Sequence, residues 1–164
     1  EPLTVLQRAV RCAGGGAGID VAAVPGSTPR MRTGNRIWDA SLFLVQCLRR
    51  CPAPDCVVDL GAGTGAVGLA CGTLGARSVV LTDLAAQLPL LQANADANPG
   101  AAAVEVQELD WADRGEAAAL ASRLRGESLW VIASEVIYPR GGHDEAFVDS
   151  LFDVVLALLT GWRG

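Results

Sequence analysis

The residues with the clearest chemistry lie in "VVDLGAGTGAVGLA", residues 57–70. Glycines crowd it at Gly61, Gly63, Gly65 and Gly68, after the short apolar run Cys56–Leu60. Glycines placed after a strand let the backbone turn tightly and close on a ligand. The helix that follows turns its free N–H groups and positive dipole end toward the same crevice. Two carboxylates flank the turn, Asp59 before it and Asp83 at the end of the next apolar run. A carboxylate in the second position can accept both hydroxyls of a ribose.

Two frames compete over this stretch. From Gly63 it reads G-x-G-x-x-G, the spacing of a dinucleotide loop, but that frame starts two residues past the strand. From Gly61 it reads D-x-G-x-G-x-G, with Ala66 in the third place of the dinucleotide pattern, a substitution that pattern tolerates. Asp59 tilts the balance. At the strand end and facing the ligand, it would repel a pyrophosphate and attract an ammonium group. S-adenosylmethionine carries an ammonium and a sulfonium and no phosphate. The Gly61 frame makes Gly68 a helix-packing residue.

These residues need elements to hold them, and the pattern supplies a strict alternation. An amphipathic helix is expected over Trp38–Arg50, with Trp38, Leu42, Val45 and Leu48 on one face and Asp39 or Ser41 as its cap. Strands are expected at Cys56–Leu60, Ser78–Thr82, Val104–Leu109 and Leu129–Val136. Helices are expected at Thr64–Leu74, Leu84–Asn98, Arg114–Leu124 and His143–Leu159, with Asp83 and Asp113 as caps. Strands and helices of these lengths predict βαβ units and a doubly wound, mostly parallel sheet. Residues 1–36 read as an N-terminal extension with one strand, Ile19–Val24, and residues 37–164 as the ligand-binding domain. The fourth strand would be left beside an empty slot, so the full protein is expected to continue past Gly164.

Composition bounds the function. The chain has 164 residues, 51% of them hydrophobic, and a mean hydropathy of +0.32, enough for one domain with a core. The longest apolar runs, such as Val154–Leu159, fall far short of the roughly 18 residues of a spanning helix. No basic stretch followed by an apolar one opens these residues, so no signal peptide is expected within them, and a start at Glu1 without Met reads as a piece of a longer protein. A net charge of −5 argues against nucleic acid, and all 13 basic residues are arginine. The five cysteines form no C-x-x-C pair and His143 is the sole histidine, so no metal is expected. Reduced thiols predict a cytoplasmic or nuclear protein.

Four stretches then carry a resemblance: "TGNRIWDASLFL" (33–44), "VVDLGAGTGAVGLACGTLGARSVVLTD" (57–83), "LDW" (109–111) and "VIASEVIYP" (131–139). In this order and spacing the chain resembles the seven-β-strand protein-lysine methyltransferases over about residues 33–160. The resemblance implies a Rossmann-like class I methyltransferase fold, S-adenosylmethionine as cofactor and a cellular protein as substrate. It also implies roles. Trp38 would contact the cofactor, and Gly61, Ala62 and Gly63 would pass beneath its methionine part. Asp83 would bind the ribose, Trp111 would lie against the adenine with Asp110 nearby, and Ser134 would touch the cofactor. Glu135 and Tyr138 would form an acidic-x-x-Tyr motif at the substrate mouth. The family usually has Asp at the place of Glu135 and often Ala at that of Ser134. Three other readings stand beside it: a methyltransferase for a small molecule or another residue type, an NAD-dependent oxidoreductase, and a non-catalytic binding module. Trp130 and Trp162 are assigned to packing, and Asn94 and Asn98 to helix ends.

Overall fold

The structure is a computed structural model and describes residues 6–10, 19–23, 33–99, 102–137 and 145–163. Four parallel strands build the main sheet: β3 (Cys56–Leu60), β4 (Ser78–Asp83), β5 (Ala103–Glu108) and β6 (Leu129–Ile132), in the order β5-β4-β3-β6. The chain winds outward from β3 to β5 and then returns to lay β6 on the other side of β3. That reversal creates a crevice at the strand ends, where open α/β sheets bind ligands. Register keeps the strands level: Asp59 lies opposite Leu81 on one side and Ile132 on the other.

Side-chain alternation along β3 sorts the core into two layers. Val57 faces one cluster with Val79, Leu81, Leu69, Ala70 and Leu91, covered by α1 (Asp39–Leu48), α2 (Ala66–Thr73) and α3 (Leu88–Asp96). Val58 and Leu60 face the other with Val80, Leu120, Leu151, Val154 and Leu158, covered by α4 (Arg114–Arg123) and α5 (Glu145–Gly161). The sheet is doubly wound, as the alternation predicts. β3 is buried along its whole length, which fits a central parallel strand of near-continuous apolar residues.

Several boundaries differ from the sequence reading. Helix α1 has Trp38 as its N-cap and no side-chain capping bond, so neither Asp39 nor Ser41 caps it. Asp113 does cap α4, accepting from the N–H groups of Gly115 and Glu116. Helix α3 starts at Leu88 instead of Leu84. The Asp83 carboxylate accepts the Leu84 N–H at 2.8 Å through Oδ1 and the Gly63 N–H at 2.8 Å through Oδ2, which fixes a turn there. Pro89 then sits in the first turn of α3, where its missing N–H costs nothing. Strand β6 stops at Ile132, four residues short of Val136, and Ser134, Glu135 and Val136 line the cavity instead of extending the sheet.

The N-terminal region holds more structure than one strand. β1 (Leu6–Val10) pairs antiparallel with β2 (Ile19–Ala23) in a separate two-stranded sheet. β2 approaches α2 and α3.

Candidate functional site

A cavity of about 540 Å³ opens at the β3/β6 crevice, within the usual range for a small-molecule site. Its walls come from Gly34–Trp38, the glycine loop, the ends of β4 and β5, the segment after β6 and the start of α5. Of the ten residues expected at a site, nine line it: Trp38, Asp59, Gly61, Ala62, Gly63, Asp83, Trp111, Ser134 and Glu135. The tenth, Tyr138, lies outside the described residues, as does His143.

The glycine loop is shaped by what touches it. Gly61 and Gly63 hold φ of +62° and +59°, a region that L side chains rarely adopt. A Cβ on Gly61 would lie 3.0 Å from Val136 Cγ1 and 3.3 Å from the Trp111 ring. The Ala62 N–H donates to Thr82 O at 2.9 Å, and the Gly65 N–H to Ala62 O at 2.8 Å. Asn94 does more than end a helix. Buried in α3, it donates to Thr64 O at 2.8 Å and so anchors the loop.

Asp59 does not face the cavity in the way its place at the strand end suggests. It shares the face of β3 on which Val57 lies, and that face is covered by α2. The carboxylate is 2% exposed and accepts the Gly68 N–H at 2.9 Å. Burial pushes its pKa up to about 7; the Gly68 N–H opposes the rise and the nearby Asp83 charge adds to it. Asp83 is also raised, chiefly by burial, against the lowering effect of the Gly63 and Leu84 N–H groups. Asp83 at the cavity wall and Asp59 beneath α2 thus bring acceptor oxygens to one side of the cavity, and burial favours the neutral form of each. A group carrying an ammonium and ribose hydroxyls fits those acceptors; a pyrophosphate does not.

Aromatic rings form the other side. Trp111, just after β5, meets Phe147 of α5 with centroids 5.2 Å apart and planes tilted by 44°. The Arg36 guanidinium lies over the Trp38 ring, 4.9 Å from its centroid. Ser134 and Ser41 share a hydrogen bond of 3.0 Å, tying α1 to the segment after β6. Glu135 follows with φ of +54°, the only positive value at a non-glycine among the described residues. Sequence reasoning missed Arg36, Phe147 and the pairing of Ser41. Phe147 carries no local signal. Ser41 carries one, a hydroxyl on the face of α1 that turns toward the sheet.

Two described cysteines, Cys56 and Cys71, are buried and two, Cys47 and Cys51, are exposed. Burial raises both buried thiols, that of Cys71 to about 12, so these two stay protonated. Trp130 and Trp162 join the two core layers, as packing residues.

A doubly wound parallel sheet with a glycine loop, a β4 carboxylate and an aromatic wall defines a Rossmann-like class I methyltransferase fold. A family model described as lysine methyltransferase matches residues 27–160, and the chain belongs to that family of S-adenosylmethionine-dependent enzymes. Among curated relatives, the protein N-lysine methyltransferase METTL21A of Mus musculus is 36% identical over 115 residues, covering 62% of this chain and 47% of that protein. METTL21A of Danio rerio is 34% identical over 114 residues, covering 66% of this chain and 43% of that protein. The chain thus spans less than half the length of these relatives. A solved Streptococcus mutans structure aligns with a TM-score of 0.47 at 24% identity, over 63% of this chain and 27% of that one.

Proposed function

We propose that the protein containing this chain is an S-adenosylmethionine-dependent protein-lysine N-methyltransferase. The observation that carries the reading is the convergence of Trp38, Gly61–Gly63, Asp83, Trp111, Ser134 and Glu135 on one cavity in a chain of the lysine methyltransferase family. Bound S-adenosylmethionine would supply an activated methyl on a sulfonium, so the protein's task is alignment and dehydration. Asp83 would hold the ribose and Trp111 the adenine. Gly61, Ala62, Gly63, Trp38 and Ser134 would hold the methionine part, with Asp59 acting on its ammonium through the field of its buried carboxyl.

Glu135 and Tyr138 take the acceptor. A free lysine has a pKa near about 10.4 and must lose its proton before it attacks. Glu135 draws the ammonium to the mouth, Tyr138 aligns the amine, and the proton leaves to water or a carboxylate. The left-handed backbone at Glu135 supports a functional constraint there, since such a conformation costs on the order of 1–3 kcal/mol. The catalytic domain in this reading runs through residues 37–164 and takes in Gly34 and Arg36, which line the cavity from the end of the 1–36 extension. The protein is taken as a cytoplasmic or nuclear monomer that engages neither nucleic acid nor membrane. The net charge of −5 supports the first exclusion, and no helix of the described residues is long and apolar enough to cross a membrane.

The test is incubation of the whole protein with tritiated S-adenosylmethionine and a lysate of its own cells, followed by mass spectrometry of the labelled band. The expected product is methyllysine; label only on small molecules, or no label, would sink the reading. Asp83→Ala is expected to abolish cofactor binding by calorimetry, and unchanged affinity would refute its role. Tyr138→Phe is expected to preserve that binding and slow transfer.

A further inference from the structure

Gln87 is polar, does not line the cavity, and is 5% exposed. It sits in the turn between β4 and α3, its own N–H bonded to Leu84 O at 2.8 Å. Its side-chain amide nitrogen donates to Gly34 O at 3.0 Å and to Gly63 O at 3.1 Å. Both partners are carbonyl oxygens, so only the NH₂ end can serve them, and one amide has a proton for each.

The consequence is a clamp with two jaws. Gly63 is held at both ends, its N–H by Asp83 Oδ2 and its carbonyl by Gln87. Gly34 is held against it so closely that a Cβ on Gly63 would lie 3.0 Å from Gly34 O. A Cβ on Gly34 would lie 2.9 Å from Gln87 Cδ. Gly34 opens the short segment that also carries Arg36 and Trp38 to the cavity. The β4–α3 turn thus grips the loop beneath the cofactor site and the wall beside it through one side chain.

The geometry points to Gln87 as a positioning residue that fixes residues 33–38 against the glycine loop and so sets the shape of the cofactor cavity. This rests on the reading of the cavity as the S-adenosylmethionine site. Gln87→Met keeps the size and removes the donor. Gln87→Glu presents only acceptors to two carbonyls. Gln87→Lys restores a donor that can serve both. The first measurement is hydrogen–deuterium exchange in the chain without cofactor. Residues 33–38 are expected to exchange about tenfold faster in Gln87→Met and Gln87→Glu, and within about threefold of wild type in Gln87→Lys. Strand 56–60 should be unchanged in all three, which reports an intact fold.

The second measurement is calorimetry with S-adenosylhomocysteine. Its Kd is expected to rise about tenfold in Gln87→Met and Gln87→Glu and to recover in Gln87→Lys. Wild-type exchange at 33–38 in Gln87→Met would overturn the inference. So would equal acceleration of strand 56–60, or failure of Gln87→Lys to restore slow exchange. Failure of the wild-type chain to bind S-adenosylhomocysteine would sink the cofactor reading alone, because the exchange data decide the clamp without it.

Discussion

Asp59 shows how one residue's environment changes its use. Its sequence position marks a carboxylate at the rim of a crevice, and the pleat turns that carboxylate under α2. Strand alternation holds the signal, because Asp59 is two residues from buried Val57 and lies on the same face. The cost of that burial is readable as pH dependence. The folded pKa is about 7, above the unfolded value of about 3.9. The native state therefore holds the proton more tightly. Its contribution to stability is fully present below about pH 4, is lost as pH rises toward 7, and is flat above. Asp59→Asn removes the titration and leaves an oxygen for the Gly68 N–H. The melting temperature of wild type relative to Asp59→Asn is expected to fall between pH 4 and pH 7.5, measured by calorimetry across that range. Parallel pH profiles would show that Asp59 does not titrate there.

At the scale of the element, α2 must press close to the sheet for the loop before it to reach the cavity. Gly68 is where it presses. A Cβ there would run into Leu81 Cδ2 and stand 3.1 Å from Asp59 Oδ2. Alanine is the better helix former by about 1 kcal/mol, but overpacking a full interior costs about 1–3 kcal/mol. Gly68→Ala is expected to lower stability to urea on balance, with the cofactor loop displaced; a stabilised variant would show that α2 has room to rise. Elements such as β3 and α4 were legible because their apolar spacing and breakers agree, as with Asp113 before α4. The start of α3 and the cap of α1 were not, since the Asp83 carboxylate decides the first and α1 has no side-chain capping bond. Strand β1 escaped because "LQRAV" alternates too weakly to stand out. The cavity lining was legible where chemistry and spacing coincide, at Asp83 and the glycines. Phe147 in that lining and Gln87 behind it were not, because a contact made only by the fold leaves no local mark.

For the whole molecule, the decisive feature is the order β5-β4-β3-β6, which sets the loop after β3 beside the segment after β6 at one switch point. The cavity is lined from both layers of the core, by Ala66 and Val67 of α2 on one side and Trp111 on the other. Binding should therefore act on global stability, and the identity of the ligand should decide how much. A ligand that binds only the folded chain adds about 2.7 kcal/mol when present at 100 times its Kd. For a domain of this size each kcal/mol moves the melting temperature by about 2–4 °C. S-adenosylhomocysteine at saturation is then expected to raise it by about 5–11 °C, read by scanning calorimetry or dye fluorescence. NAD at the same concentration is expected to leave it unchanged, because the Asp83 carboxylate lines the cavity and would repel a pyrophosphate. A shift with NAD as large as that with S-adenosylhomocysteine would restore the dinucleotide reading of the loop. Asp83→Ala should remove the shift while the core layers around Leu60 and Leu81 keep the fold, which separates loss of the site from loss of the molecule.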